Sequence, residues 1–147
     1  MPDRIATTRW TGDLTTGSGT VTLVSSGAGA FAFSLPSRAG AANGRTSPEE
    51  LVAAAHSACY SMQLSALLTA DGTPPERIDT TVTVSQNLRG EAYLITEIRV
   101  VVLAAVPGAD AEGFQRAAER AKETCPVSVA LGGTVITLDA ELEQVPA

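Results

Sequence analysis

Cysteine is scarce in this 147-residue chain: only Cys59 and Cys125 are present, 66 residues apart, and neither belongs to a Cys-x-x-Cys pair. A zinc module built on paired cysteines is therefore not expected. Basic charge is scarce as well. Ten Lys and Arg residues are scattered along a chain of net charge −6, so no clustered cationic surface exists for a phosphate backbone and no nucleic-acid partner is expected. The opening MPDRIATTRW lacks the apolar segment of a secretory signal. Two cysteines without such a leader point to a reducing, cytoplasmic setting, where a disulfide is transient and catalytic rather than structural. Repeats, low-complexity tracts and linkers are missing too, and the length suits a single domain over 1–147. An apolar content of 44% against 18% charged residues argues against disorder.

Charge is wholly missing from Leu51 to Ala70. A run of that length raises the question of a membrane span. His56, Gln63 and three serines interrupt it, alanine supplies much of its apolar content, and acidic residues rather than basic anchors flank it. A helix apolar on most sides in a soluble protein is an enclosed one. In a chain this short, full enclosure calls for a second subunit.

Around that run the pattern reads as an α+β domain. Ile5–Gly12, Thr20–Ser25 and Ala30–Leu35 are expected as short strands of an antiparallel sheet, followed by a small-residue loop over 37–46. Ser47, Pro48 and Glu50 form a helix-start signature with a capping box, and Gly72 with Pro74 and Pro75 stops the helix, which should span Pro48–Ala70. Asp79–Leu88 and Tyr93–Ala104 alternate as a hairpin about Arg89-Gly90. Asp110–Glu123 is amphipathic, a short helix opens at Pro126, and Thr134–Glu143 is a last strand.

The chemistry rests on the two sulfurs. A cysteine attacks a peroxide oxygen as its thiolate, and an ordinary thiol is mostly protonated at neutral pH. Cys59 lies mid-helix and needs a cation. His56, one turn earlier, and Arg38 and Arg45 in the preceding loop are the possible sources. Glu49 is the carboxylate suited to hold such an arginine. Ten residues of helix, about 15 Å, separate Glu49 from Cys59, so its contribution requires two such helices packed antiparallel in a twofold dimer. Cys125 precedes a Pro-initiated helix whose free N–H groups favour an anion, which suits a resolving thiol. Together these features read as a thiol peroxidase.

The segments SPEELVAAAHSACYSM, DTTVTVS and AKETCPVSVAL, with TRW-x-GD near the start and VPGAD before the amphipathic helix, closely resemble the OsmC/Ohr family of hydroperoxide-reducing proteins, and the AAH before Cys59 resembles its OsmC branch. The resemblance covers nearly the whole chain. It implies an intertwined homodimer with antiparallel sheets wrapped around long central helices, without metal or cofactor. It implies that Cys59 is peroxidatic, Cys125 resolving, Glu49 the carboxylate and Arg38 the supporting cation, with Arg45 as the alternative. Organic hydroperoxides, hydrogen peroxide and a lipoyl-type dithiol reductant are the implied substrates.

Two other readings compete. His56, Cys59, Cys125 and a carboxylate would make a four-ligand zinc sphere, although the deaminase pattern with P-C-x-x-C is absent. A noncatalytic oxidant sensor or small-ligand binder would use Cys59 once and stop.

Overall fold

A computed structural model describes residues 2–143. The chain divides into two compact units, one through Leu51 and one from Val52.

The first unit holds strands β1 (Ala6–Thr11), β2 (Ser18–Leu23) and β3 (Ala30–Phe33), paired antiparallel in that order. Gly19 sits opposite both Trp10 and Phe33 in the register. The two rings lie 5.6 Å apart, and a Cβ on Gly19 would come within 2.5 Å of the Phe33 ring. Glycine there leaves room for the aromatic pair to cover the sheet.

β3 ends two residues before the sequence predicts, because Ser34 starts a helix. Its hydroxyl accepts from the Ser37 N–H while the Ser37 hydroxyl accepts from the Ser34 N–H, a reciprocal cap on the five-residue helix α1 (Leu35–Ala39). The expected loop over 37–46 is thus helical at its start. Gly40 closes α1, and the rest remains loop.

Helix α2 (Pro48–Ala70) has the predicted boundaries. Half of the capping box forms: the Ser47 hydroxyl accepts from the Glu50 N–H, whereas the Glu50 carboxylate turns to the Thr46 hydroxyl. Only His56, Tyr60, Leu64 and Leu68 are buried along α2, a single stripe at four-residue spacing.

That stripe belongs to the second unit. There β4 (Arg77–Arg89) and β5 (Ala92–Ala105) form the hairpin, turning at Gly90, whose φ of 62° is the left-handed conformation glycine adopts without steric penalty. Helix α3 (Ala111–Thr124) starts at Asp110, whose carboxylate accepts from the Gly113 N–H at 2.7 Å. α4 (Pro126–Ala130) follows, then β6 (Val135–Leu142). β6 pairs with β5 in parallel, not antiparallel, so the second sheet is mixed. The crossover through α3 and α4 accounts for this, since a helical connection brings the chain back in the same direction. Tyr60, Leu64 and Leu68 of α2 join Phe114, Ala117, Ala118 and Ala121 of α3 and Ile98, Val100, Val102 and Ala104 of β5 in one core.

α2 is long and apolar enough to cross a bilayer by length and composition, yet only 22% of its apolar window is buried. Met62 is 74% exposed. One chain covers one side of its central helix.

Leu64 is fully buried, so Leu64→Ala removes packed methyl groups and leaves a cavity. The expected loss is about 2–5 kcal/mol, read as a lower urea midpoint at unchanged slope and fixed protein concentration.

Candidate functional site

Two pairs of the residues singled out from the sequence meet, each inside one unit. In the first unit, Arg38 on α1 reaches Glu49 in the first turn of α2. Its Nη2 donates to Oε1 at 2.6 Å, and its Nε lies 3.1 Å from both carboxylate oxygens. Arg38, not Arg45, therefore grips the carboxylate. Burial pushes the Glu49 carboxyl up, but Arg38 outweighs that, helped by Ser47, and holds it below the usual range. Glu49 in turn raises the guanidinium further. The grip is two-pronged and charge-assisted, and it fixes the direction of a guanidinium that is charged at every physiological pH.

In the second unit, Cys59 from the middle of α2 meets Cys125, the residue between α3 and α4. Both are free thiols, Cys59 partly exposed and Cys125 buried. Burial pushes the Cys59 thiol up and the neighbouring Cys125 adds to this, with only the Val127 N–H opposing. At Cys125 burial also pushes up, but the Ser128 N–H, the Cys59 thiol, the Ser128 hydroxyl and the Val127 N–H together hold it below the ordinary value. Cys125 closes no side-chain cap bond to α4; these groups act on the sulfur as nearby dipoles. Among the described residues no cation acts on the Cys59 sulfur.

His56 does not supply that charge, contrary to one sequence alternative. It is fully buried, its Nε2 bonds to the Ser128 hydroxyl at 2.8 Å, and burial depresses its basicity. It is a neutral core residue. The zinc alternative fails for a related reason: no group of three or more His, Cys, Asp or Glu able to hold a metal occurs among the described residues.

Sequence reasoning passed over Ser128, although its place three residues after Cys125 at the start of a Pro-initiated helix was a usable signal. It also passed over two braces of the site. The Tyr60 hydroxyl donates to the Ala118 carbonyl at 3.0 Å, and the Gln63 amide donates to the Thr124 hydroxyl at 2.9 Å. These tie α2 to α3 just after Cys59 on the one helix and just before Cys125 on the other.

The chain is similar to known proteins over most of its length. The family model described as OsmC-like protein matches residues 40–139. The peroxiredoxin OsmC of Escherichia coli (strain K12) is 41% identical over 134 residues, 91% of this chain and 92% of that protein. An organic hydroperoxide resistance protein of Xanthomonas axonopodis pv. citri is 34% identical over 107 residues, 70% of this chain and 72% of the other. Among solved structures, an organic hydroperoxide resistance protein of Elizabethkingia anophelis superposes with a TM-score of 0.75 at 25% identity, covering 97% of this chain and 98% of that one.

Burial of neutral His56 has a measurable consequence. The unfolded chain binds a proton there near the ordinary value of 6.5, while the folded chain resists it. Below that pH the unfolded state carries the extra proton, so stability falls with pH until folded His56 is itself protonated. Glu49 and Asp13 are depressed carboxylates; their contribution is lost only as pH falls below their ordinary values of 4.5 and 3.8. Urea midpoints should therefore decline from about pH 7 to about pH 5, and decline less in His56→Gln.

Proposed function

The chain belongs to the OsmC family, and we propose that it is a thiol-dependent peroxidase reducing organic hydroperoxides, and hydrogen peroxide, through Cys59 and Cys125. The observation that carries this reading is the meeting of two free thiols from distant parts of the chain, one partly exposed and one buried. The Cys59 thiolate attacks the distal peroxide oxygen; the O–O bond breaks, an alcohol leaves with one proton, and Cys59 becomes a sulfenic acid. Cys125 then displaces hydroxide from that sulfur, which departs as water with the Cys125 proton. A disulfide remains. A dithiol of the lipoyl type reduces it in two exchange steps and leaves as its own disulfide.

The same reading assigns the missing positive charge to Arg38. The Arg38–Glu49 pair of a second copy, packed antiparallel along α2, activates Cys59 at a twofold interface. Support comes from the uncharged side of α2 that one chain leaves open, with Met62 74% exposed. An exposed apolar strip of that kind marks a protein interface, and a second α2 is the self-complementary partner for it. The two units then act as one domain of an intertwined homodimer working in the cytoplasm as part of a peroxide stress response.

Peroxide consumption by the purified protein with a dithiol tests the chemistry. The wild type should cycle many times, whereas a sensor stops after about one peroxide per site. Cys59→Ser should abolish consumption, and Cys125→Ser should complete one turnover and accumulate a sulfenic acid visible by mass spectrometry. An unchanged steady-state rate in Cys125→Ser contradicts the resolving role. A disulfide joining the two residues within one chain, found by peptide mapping after peroxide treatment, is the expected product.

The interface has its own test. Met62→Glu places a charge in the proposed seam, and sedimentation should show it shifting a dimeric wild type toward monomer, with peroxidase activity falling alongside. A wild type that sediments as a monomer defeats the shared-site arrangement.

A further inference from the structure

Two hydrogen bonds cross from α2 to the junction of α3 and α4, and the cysteines lie between them. His56 Nε2 bonds to the Ser128 hydroxyl at 2.8 Å. The Gln63 amide donates to the Thr124 hydroxyl at 2.9 Å. Along α2, His56, Cys59 and Gln63 stand at i, i+3 and i+7, which places them on one face of the helix. On the facing segment, Thr124 and Ser128 enclose Cys125. The two segments therefore pass each other in opposite directions, with a clasp at either end and one thiol on each side between.

The direction of the Gln63 clasp is fixed by its neighbour. The Thr124 hydroxyl has a single hydrogen, and it donates to the Arg120 carbonyl at 2.7 Å. Its oxygen is left as an acceptor, so Gln63 faces it with the amide nitrogen rather than the amide oxygen. The resulting chain runs from Gln63 through Thr124 to the backbone of α3. Apolar packing does less at this junction than along the rest of α3. Phe114, Ala117, Ala118 and Ala121 anchor that helix, but none of Lys122, Glu123 and Thr124 is buried. In α4 only Ser128 is buried. Cys125 is tied into both helices: its N–H donates to the Ala121 carbonyl and its carbonyl accepts from the Val129 N–H, each at 2.9 Å. Any shift of the junction thus carries Cys125 with it. A disulfide tolerates little such movement, since its two Cα atoms must lie about 4.4–6.8 Å apart.

We propose that Gln63 and Thr124 are positioning residues of the resolving step, holding the α3–α4 junction against α2 so that Cys125 captures oxidised Cys59 before a second peroxide does. This role rests on Cys59 being the peroxidatic thiol and Cys125 the resolving one. The sulfenic acid on Cys59 has two fates. In the first, the Cys125 sulfur bonds to it and the S–O bond breaks. The oxygen leaves as water, carrying its own proton and that of Cys125. In the second, the Cys59 sulfur attacks another hydroperoxide, the O–O bond breaks, an alcohol leaves and a sulfinic acid remains. Cys59 is partly exposed, so the second route is open to it. That route speeds up with peroxide concentration, whereas capture by Cys125 does not. The division between them therefore measures how well Cys125 is placed.

The test treats the reduced full-length protein with graded tert-butyl hydroperoxide in the absence of dithiol. Intact-mass and peptide analysis then divides Cys59 between disulfide and sulfinic acid. In Gln63→Ala the hydroperoxide concentration that gives equal amounts should fall about three- to tenfold, the range one hydrogen bond spans. Thr124→Val, which keeps the branched shape without the hydroxyl, should cause a similar fall. Thr124→Ser, which keeps the hydroxyl, should stay near the wild type. The double variant Gln63→Ala/Thr124→Val should fall no further than either single one, because both remove the same bond. Gln63 is only partly buried and Thr124 is exposed, so these variants leave the core in place. A lowered urea midpoint with an unchanged division is the result of a purely structural tie and overturns the proposal. Thr124→Ser falling as far as Thr124→Val overturns it too, as do single effects that multiply in the double variant. A wild type that forms neither disulfide nor sulfinic acid defeats the peroxidase reading itself, whereas a wild type that forms the disulfide with variants dividing as it does defeats only the role of Gln63 and Thr124.

Discussion

The alignment of α2 against the second sheet and α3 is the constraint on which the thiol site depends. Tyr60, Leu64 and Leu68 enter the core at intervals of four residues, so the rotation of the helix about its axis is set by apolar burial. Once that rotation is set, Cys59, beside Tyr60, is turned to the edge of the core where α3 gives way to α4, and His56 is turned inward to Ser128. The Tyr60–Ala118 and Gln63–Thr124 bonds lock the same orientation by polar means. The chemistry of two sulfurs thus inherits its precision from ordinary side-chain packing.

The electrostatics divide the tasks between the two units. The second unit assembles the thiols and offers only dipoles: N–H groups at the start of α4 and the Ser128 hydroxyl. These lower Cys125 and leave Cys59 raised by burial. The first unit assembles a permanent cation held in a charge-assisted grip. Only the proposed dimer would bring the two together, along the side of α2 that one chain leaves open.

Much of the architecture could be read from the chain because its signals are local. Ser47, Pro48 and the Gly72 stop mark α2 to the residue, the hairpin follows from alternation about Gly90, and the amphipathic pattern marks α3 within one residue at each end. Short α1 was missed because its two-serine cap occupies a stretch whose composition otherwise reads as loop. The parallel docking of β6 was missed because strand direction depends on how the α3–α4 crossover returns, which alternation within β6 does not encode.

The site divides along the same line. Residue types and spacing singled out Cys59, Cys125 and Glu49 as candidates, left Arg38 and Arg45 both open, and placed a helix start behind Cys125, because thiol chemistry, charge and capping preferences are properties of short segments. Tertiary structure decided which arginine grips Glu49 and that His56 is a neutral partner of Ser128 rather than a cation. Those outcomes turn on burial and on distances between groups as many as 72 residues apart, and neither quantity exists until the chain has folded.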